Sequence, residues 1–304
     1  MEHIFQFTIF TPTYNRAHTL PRVYESLLAQ TFRDFEWLIV DDGSSDDTRE
    51  LIGTWRQDGK ISIQYHYQEN QGKHFAHNLA LQHARGNLFT VLDSDDECLP
   101  GALDLFASQW DEIQKLNDPS FAGVSGLCVD QNGKIIGDPF PQYGLDSNSL
   151  ELKYKYQIRG EKWGVIRTDV VREYPFPTLR VRNIPESIVW SRIARNYKIR
   201  FINEPVRIYH ATEASLIRVD DIRQIAPSAV LQHEDILNYQ MDYFRYAPAV
   251  FLNSAVHFSR FSLHEQIPLN QQLRKIRSLR AKLLWGLCLP MGWLVYYKDR
   301  IQSQ

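Results

Sequence analysis

The chain has 304 residues, 43% of them hydrophobic and 23% charged, the composition of an ordinary folded protein with room for one large or two modest domains. A net charge of −2 gives no overall signal for nucleic acid, and the three widely spaced cysteines (Cys98, Cys128, Cys288) form neither a metal-ligand pattern nor a disulfide framework. That cysteine usage fits a reducing compartment. The opening Met1-Glu2-His3-Ile4-Phe5 lacks the basic and apolar regions of a secretory signal, so catalysis is expected to face the cytoplasm.

Residues 6–11 read as a strand that runs into Thr11-Pro12-Thr13-Tyr14-Asn15-Arg16. An aromatic ring in that place can stack on a base while Thr and Asn supply hydrogen bonds; the same residues also suit a helix-capping turn. Apolar residues at Leu20, Val23, Leu27 and Leu28 predict a helix over 19–30. A second strand over 35–40 enters Asp41-Asp42-Gly43-Ser44-Ser45-Asp46. One carboxylate of that run could accept a hydrogen bond from a base or ribose, and an Asx-turn with Gly43 at positive φ is the structural alternative. A helix over 47–56 and an alternating strand over 61–67 follow.

Glu69-Asn70-Gln71-Gly72-Lys73-His74-Phe75-Ala76-His77-Asn78 comes next. Gly72 permits close backbone approach ahead of a helix over 75–84, and that helix start with Lys73 favours a phosphate. His74 and His77 share one side of the helix start. Zinc would need further ligands at suitable spacing, which favours a polar lining of the cleft. A strand over 88–92 then delivers Asp93-Ser94-Asp95-Asp96-Glu97 at its carboxyl end, where open α/β sheets bind ligands. Four acidic side chains on one turn repel each other unless a cation sits among them. Mg²⁺ or Mn²⁺ suits this all-oxygen setting and shares it with substrate phosphates; an acidic turn capping the next helix, 99–103, is the alternative. The alternation of strands and helices predicts an α/β fold with a mostly parallel sheet and helices on both faces.

Beyond residue 120 the pattern changes. Residues 123–129 and 134–136 predict a hairpin around Asp130-Gln131-Asn132-Gly133, and a loop rich in turn residues follows to about Asn148. A helix over 186–197 and a returning strand from Pro205 to Tyr209 come next. From about Asp220 the chain is predicted to be helical. It ends in a basic segment, 274–282, and a fifteen-residue apolar run, 283–297, interrupted by Pro290. That run is shorter than the roughly 20 residues needed to span a bilayer. Flanking cations, tryptophans and tyrosines suit an interfacial anchor over 274–297 at an anionic membrane face; a terminal helix pair packed on protein is the alternative.

Taken together, Thr11-Pro12-Thr13-Tyr14-Asn15-Arg16, the run from Gln30 to Asp46, Asn70-Gln71-Gly72-Lys73 and Leu92-Asp93-Ser94-Asp95-Asp96 resemble glycosyltransferase family 2. The resemblance runs in order over roughly residues 5–105. It implies the GT-A fold, a Rossmann-like sheet, and inverting transfer from a nucleotide sugar, with a uridine diphosphate sugar as the favoured donor. It implies that Pro12, Tyr14 and Asp42 surround base and ribose, and that 93–96 is a DxD-type motif binding metal and diphosphate. Within it Asp95 is expected as the metal ligand for Mn²⁺ or Mg²⁺, with Asp93 and Asp96 on ribose, sugar or metal-bound water. Thr13, Asn15, Lys73 and Asn78 complete the expected donor side. The resulting division is a catalytic domain over 1–219 (nucleotide-sugar half 1–115, acceptor half 116–219) and a helical region over 220–304.

Inverting transfer needs a carboxylate on the acceptor side of the sugar to take the hydroxyl proton. Asn183-Ile184-Pro185-Glu186 stands where this family supplies that base, which makes Glu186 the candidate and Glu161 the alternative. Ser187 occupies the position where a second acid often follows. A Glu in the first helical turn is also simply favoured by the helix dipole. Trp163 and Trp190 are candidate platforms for an acceptor sugar, or core. The expected acceptor is a hydroxyl of a glycan, on a lipid carrier if the tail meets a membrane, as in surface-polysaccharide assembly. Two rivals remain. A nucleotidyltransferase would want a Gly-rich, Arg-containing phosphate loop near residue 10, where Thr11-Pro12-Thr13-Tyr14 stands instead. A non-catalytic glycan-binding scaffold would have no use for the acidic cluster together with Glu186.

Overall fold

The computed structural model describes residues 4–181, 184–210 and 222–302. Strands β1 (Phe5–Thr13), β2 (Phe35–Asp41), β3 (Ser62–Tyr67) and β4 (Gly86–Val91) alternate with helices α1 (Leu20–Leu28), α2 (Thr48–Asp58) and α3 (Lys73–His83). A two-residue strand β5 (Glu97–Cys98) precedes α4 (Ala102–Lys115) and β6 (Phe121–Val129). Then come β7 (Leu145–Ser147), α5 (Ser149–Tyr154), β8 (Lys162–Arg167), α6 (Thr168–Glu173), α7 (Ser187–Ala194) and β9 (Lys198–Ile208). Together the strands make one nine-stranded sheet in the order β3-β2-β1-β4-β8-β6-β9-β5, with β7 on β9. β1 pairs in parallel with both β2 and β4, and β6 in parallel with β9; β8 runs against both of its neighbours.

Period-two alternation sends side chains to two cores. Phe7, Ile9, Trp37 and Ile39 face α1, α2 and α4, whereas Phe10, Leu38, Val40 and Phe89 face α3, α6 and α7. This is the expected α/β sheet with helices on both faces. The hairpin expected at 123–136 is reduced to a single bridge between Val129 and Ile135. All nine residues of β6 are buried because the strand lies between β8 and β9 and is covered on both faces, so the turn at 130–133 closes no ladder. The strand read from Pro205 starts earlier, at Lys198.

The helical region comprises α8 (Ile222–Tyr239), a 3-10 turn (Met241–Tyr243), α9 (Pro248–His264), α10 (Leu269–Lys275) and α11 (Leu279–Gln302). It has its own apolar cluster around Leu237, Phe258 and Trp285, and a second cluster joins Phe251 and Ile236 to α5. The boundary expected at 219/220 lies outside the described residues, as does Asn183.

The far end of the sheet from the acidic turns is tied by one buried carboxylate. Glu36, 0% exposed, accepts from Thr8 Oγ1, Gln64 Nε2 and the Arg85 backbone N–H, each at 2.7 Å, and pairs with the Arg85 guanidinium. Those partners come from β1, β3 and the approach to β4. Glu36→Ala would remove the acceptor these donors share and leave the half-exposed Arg85 guanidinium without its carboxylate, while Gln64 Nε2 keeps His83 O and the Arg85 N–H keeps Thr8 Oγ1. Losing such an acceptor costs about 1–3 kcal/mol. The urea midpoint of the variant should fall accordingly with an unchanged slope. A loss near zero would show that the network does not hold these strands.

Candidate active site

In a sheet of this order the chain first builds outward from β1 to β3, then returns to the other edge of β1 to make β4. The reversal opens a crevice beyond the carboxyl ends of β1 and β4, the usual ligand position. A cleft of about 300 Å³ lies there, lined by Pro12, Thr13, Tyr14, Arg16, Asp42, Lys73, Asp93, Ser94, Asp95, Tyr209 and His210. Seven of the expected donor-side residues thus converge: Pro12, Thr13, Tyr14, Asp42, Lys73, Asp93 and Asp95.

The adjoining loops are shaped by polar side chains satisfied within the protein. Asp42 accepts from Gln68 Nε2 at 2.7 Å and from the backbone N–H groups of Gln71 and Gly72 at 2.9 and 2.8 Å. Its carboxylate therefore folds the segment ahead of α3, with Gly72 at φ +104°, where a side chain would be strained. Asp41 accepts from the Ser44 N–H and from Tyr65 O–H, both at 2.8 Å, and burial together with Asp41 pushes that phenol up to about 12.

Three expected donor-side residues do not line the cleft. Asn15 knits its loop to the next one, donating its N–H to Ser44 Oγ and accepting from the Ser45 N–H, both at 2.8 Å. The Asn78 amide exchanges two 2.9 Å bonds with the backbone of Phe176 and so anchors that loop. Asp96 is 1% exposed and turns under the acidic loop, where its carboxylate accepts from the His210 N–H at 2.9 Å and faces Arg207 at 3.3 Å. Burial outweighs Arg207, Asp93 and Asp95 add to it, and the Asp96 carboxyl is pushed up to about 6.

Lys73, the first residue of α3, is the electrostatic centre. Its ammonium lies 2.6 Å from Asp93 Oδ1 and 2.7 Å from Glu186 Oε1. Burial works against the charge, but Asp93 and Glu186 outweigh it and hold the lysine above its ordinary pKa. Burial likewise opposes ionisation of Asp93, and Lys73, Arg207 and Arg16 reverse it, leaving that carboxyl below its usual range.

Asp93 is also a wall of a second cleft, of about 340 Å³, lined among others by Glu161, Lys162, Glu186, Trp190 and Arg207. Glu186 occupies the cap position of α7, just after Pro185, and reaches back to Lys73. Glu161 leans on Arg207 at 3.4 Å. Trp190 is half-buried on this wall. Trp163 is not an open platform. It is 3% exposed, donates its indole N–H to Val91 O at 2.7 Å and packs against Phe106, so it braces the end of β4.

Arg16, Arg207, Tyr209 and His210 escaped the sequence reading. The last three follow from the eleven-residue β9, which pairs in parallel with β6 and so ends at the same edge of the sheet. Arg-Ile-Tyr-His at a strand end was the available signal. His74 and His77, expected to line the cleft, are buried instead. His74 Nε2 sits 3.0 Å from Leu179 O, and His77 is caged by Phe10, Phe89, Phe176 and Trp190 with neither ring nitrogen hydrogen-bonded.

Among the described residues no three His, Cys, Asp or Glu side chains group to hold a metal. With Asp93 taken by Lys73 and Asp96 by Arg207, Asp95 is the carboxylate of the turn that lines the donor cleft without such a partner among the described residues. That donor set suits a hard ion shared with substrate phosphates, not a cage made of protein alone.

Burial pushes the His77 pKa down to about 3, with Lys73 adding to the effect. A histidine depressed in the fold contributes stability that is complete above its unfolded pKa of about 6.5 and lost as pH falls toward the folded value. By pH 5 the wild type should have lost about 2 kcal/mol on this account, and His77→Leu should not. Denaturation of both proteins at pH 7.5 and pH 5 checks this. A stability difference that does not move with pH would contradict it.

Residues 8–174 match Glycosyl transferase family 2. The chain is 30% identical over 207 residues to the Campylobacter jejuni GalNAc(5)-diNAcBac-PP-undecaprenol beta-1,3-glucosyltransferase, a match covering 66% of this chain and 63% of that one. It is 34% identical over 135 residues to the Escherichia coli chondroitin synthase, covering 44% of this chain and 19% of the other. The chain thus spans less than two thirds of the length of these curated relatives. Among solved structures, S. aureus TarS 1-349 in complex with UDP-GlcNAc superposes with a TM-score of 0.62 at 18% identity, covering 98% of this chain and 92% of that one. The fold is that of TarS, a mixed α/β sheet followed by helices. With more than half of its length matched in order, from the first strand to α6, the chain belongs to glycosyl transferase family 2.

Proposed function

We propose that the protein is an inverting glycosyltransferase that moves a sugar from a nucleotide diphosphate sugar, with uridine favoured, to a hydroxyl of a lipid-linked glycan. The observation that carries this reading is the Lys73 bridge. One ammonium joins Asp93, on the wall of both clefts, to Glu186, on the wall of the second. A donor in the first cleft and an acceptor in the second would therefore meet at one point. The undecaprenol-linked glycan for which the Campylobacter relative is named and the UDP-GlcNAc of the TarS complex support the two substrate classes. With such a carrier the reaction would run at the cytoplasmic face of a membrane, with the 274–297 tail as the contact.

The nucleoside lies against Pro12, Tyr14 and Asp42. Its diphosphate faces Lys73 and the amino-terminal end of α3, where the helix dipole favours negative charge. Asp95 would hold a Mg²⁺ or Mn²⁺ ion shared with the diphosphate, and that ion supplies charge neutralisation for the leaving group. In one displacement the acceptor oxygen bonds to the anomeric carbon as the bond to the diphosphate oxygen breaks, and the hydroxyl proton passes to Glu186. Lys73 couples the two events. Before donor binding it neutralises Glu186, and an arriving diphosphate competes for the ammonium and frees the carboxylate to act as base. Glu161 is the weaker candidate because its ion pair is with Arg207, whereas Glu186 pairs with the bridging Lys73. Trp190 offers the acceptor sugar an apolar ring.

Glu186→Gln should lower kcat by about 10²–10⁴-fold, the usual share of a general base, with UDP-sugar affinity retained in calorimetry. Glu161→Gln should stay near wild type; the reverse pattern would move the base to Glu161. Asp95→Ala should abolish the enhancement of UDP binding by Mn²⁺ or Mg²⁺, read by calorimetry with and without the ion. Metal-enhanced binding that survives this substitution would remove Asp95 from the role. Absence of nucleotide-sugar binding and turnover in the wild type would favour a glycan-binding scaffold.

A further inference from the structure

Helix α11 is apolar on two opposite faces. Ala281, Trp285, Cys288 and Gly292 turn inward onto the helical cluster, and Gly292 lets α11 approach α9 so closely that an added Cβ would sit 2.6 Å from Ser259 Cβ. The opposite face carries Leu279, Leu283, Leu287, Leu294 and Ile301, each 65–76% exposed. At about 100° per residue these five side chains form one continuous stripe along a helix of 24 residues, about 36 Å long. Met291, Trp293 and Tyr297 are also exposed on this side. Isolated exposed leucines need no explanation, but an unbroken row of this length does.

The charges of the helix follow the stripe. Arg280 and Lys298 fall on one of its flanks, Lys282 and Arg300 on the other. Asp299, the acidic residue of α11, is turned inward, where it is 2.6 Å from Arg260 Nε and 3.0 Å from His264 Nε2. The outward half of α11 is therefore apolar along its centre, cationic on both sides and free of acid.

We propose that this face lies in the plane of an anionic lipid bilayer, with the leucine row below the headgroups and the flanking cations reaching lipid phosphates. Two observations favour lipid over a second copy of the chain. A two-fold pairing of α11 would set cation against cation along both flanks, whereas helix pairs that associate place opposite charges there. The aromatic residues Trp293 and Tyr297 suit the headgroup level. A crossing is excluded for this helix, since no helix among the described residues is long and apolar enough to traverse a membrane. The inference deepens the lipid-linked acceptor reading by naming the surface that meets the carrier's membrane, and its test reads lipid binding and not transfer, so either can fail alone.

The full chain is floated with vesicles of phosphatidylcholine alone and with vesicles containing about a third phosphatidylglycerol, at low and high salt. Wild type should bind the anionic vesicles, and salt should weaken that binding. Leu283→Gln/Leu287→Gln/Leu294→Gln should reduce binding about tenfold or more, and so should Arg280→Gln/Lys298→Gln. Both variants should keep the wild-type melting temperature, because the substituted side chains face solvent. Failure of the wild type to bind, or equal binding by the leucine variant, overturns the proposal. So does a wild-type dimer in light scattering that the leucine substitutions convert to monomer.

Discussion

A single ammonium group sets the geometry of the cleft. Lys73 stands between Asp93, at the end of β4, and Glu186, at the start of α7. Two carboxylates brought this close would repel each other without a cation between them. The lysine thus ties the strand-end loop of the first half to a helix of the second, and aligns the two clefts on a common wall. It is the first residue of α3, behind a glycine at positive φ that Asp42 holds, and the two carboxylates fix where its ammonium sits.

Much of the polarity around the cleft is scaffolding. Asp42 gathers three donors, Asn15 and Asn78 lock neighbouring loops, and Asp96 sits under the acidic turn against Arg207. Loops that must hold a shape without regular pairing satisfy their buried N–H and C=O groups through such side chains. A motif rich in Asp and Asn therefore mixes residues that shape the site with residues that can touch a ligand. The alternation at 93–96 shows this: Asp93 and Asp95 line the cleft, and Asp96 faces inward.

The helical region follows another rule. α11 uses one apolar face to pack on α9 and leaves the other open, so its hydrophobicity is spread around the helix instead of gathered on one side. One helix face is enough to bury against protein. A second apolar face with cations on both flanks is a surface that water does not favour, and it needs another partner.

The sheet was readable from periodicity because strands and helices bury their faces at fixed spacings. Strands at 6–11, 35–40, 61–67 and 88–92 and the helices between them all appear, displaced by a few residues at their ends. The expected hairpin failed because β6 takes partners distant in sequence, and β8 was missed because it is only six residues long with Gly164 inside it, too short a run for its alternation to stand out. The residue types near the cleft were legible in the same way, since Pro12, Tyr14, Lys73 and Asp93 each follow a strand or open a helix. By itself, then, the sequence determined the four strands of the first half and placed Asp42, Lys73, Asp93 and Asp95 at the edge where they end. Only the tertiary structure decided that Lys73 bridges Asp93 to Glu186, that Asp96, Asn78 and Trp163 turn inward, and that α11 keeps a face uncovered. Those outcomes depend on contacts between residues up to a hundred or more positions apart, and local spacing carries no record of them.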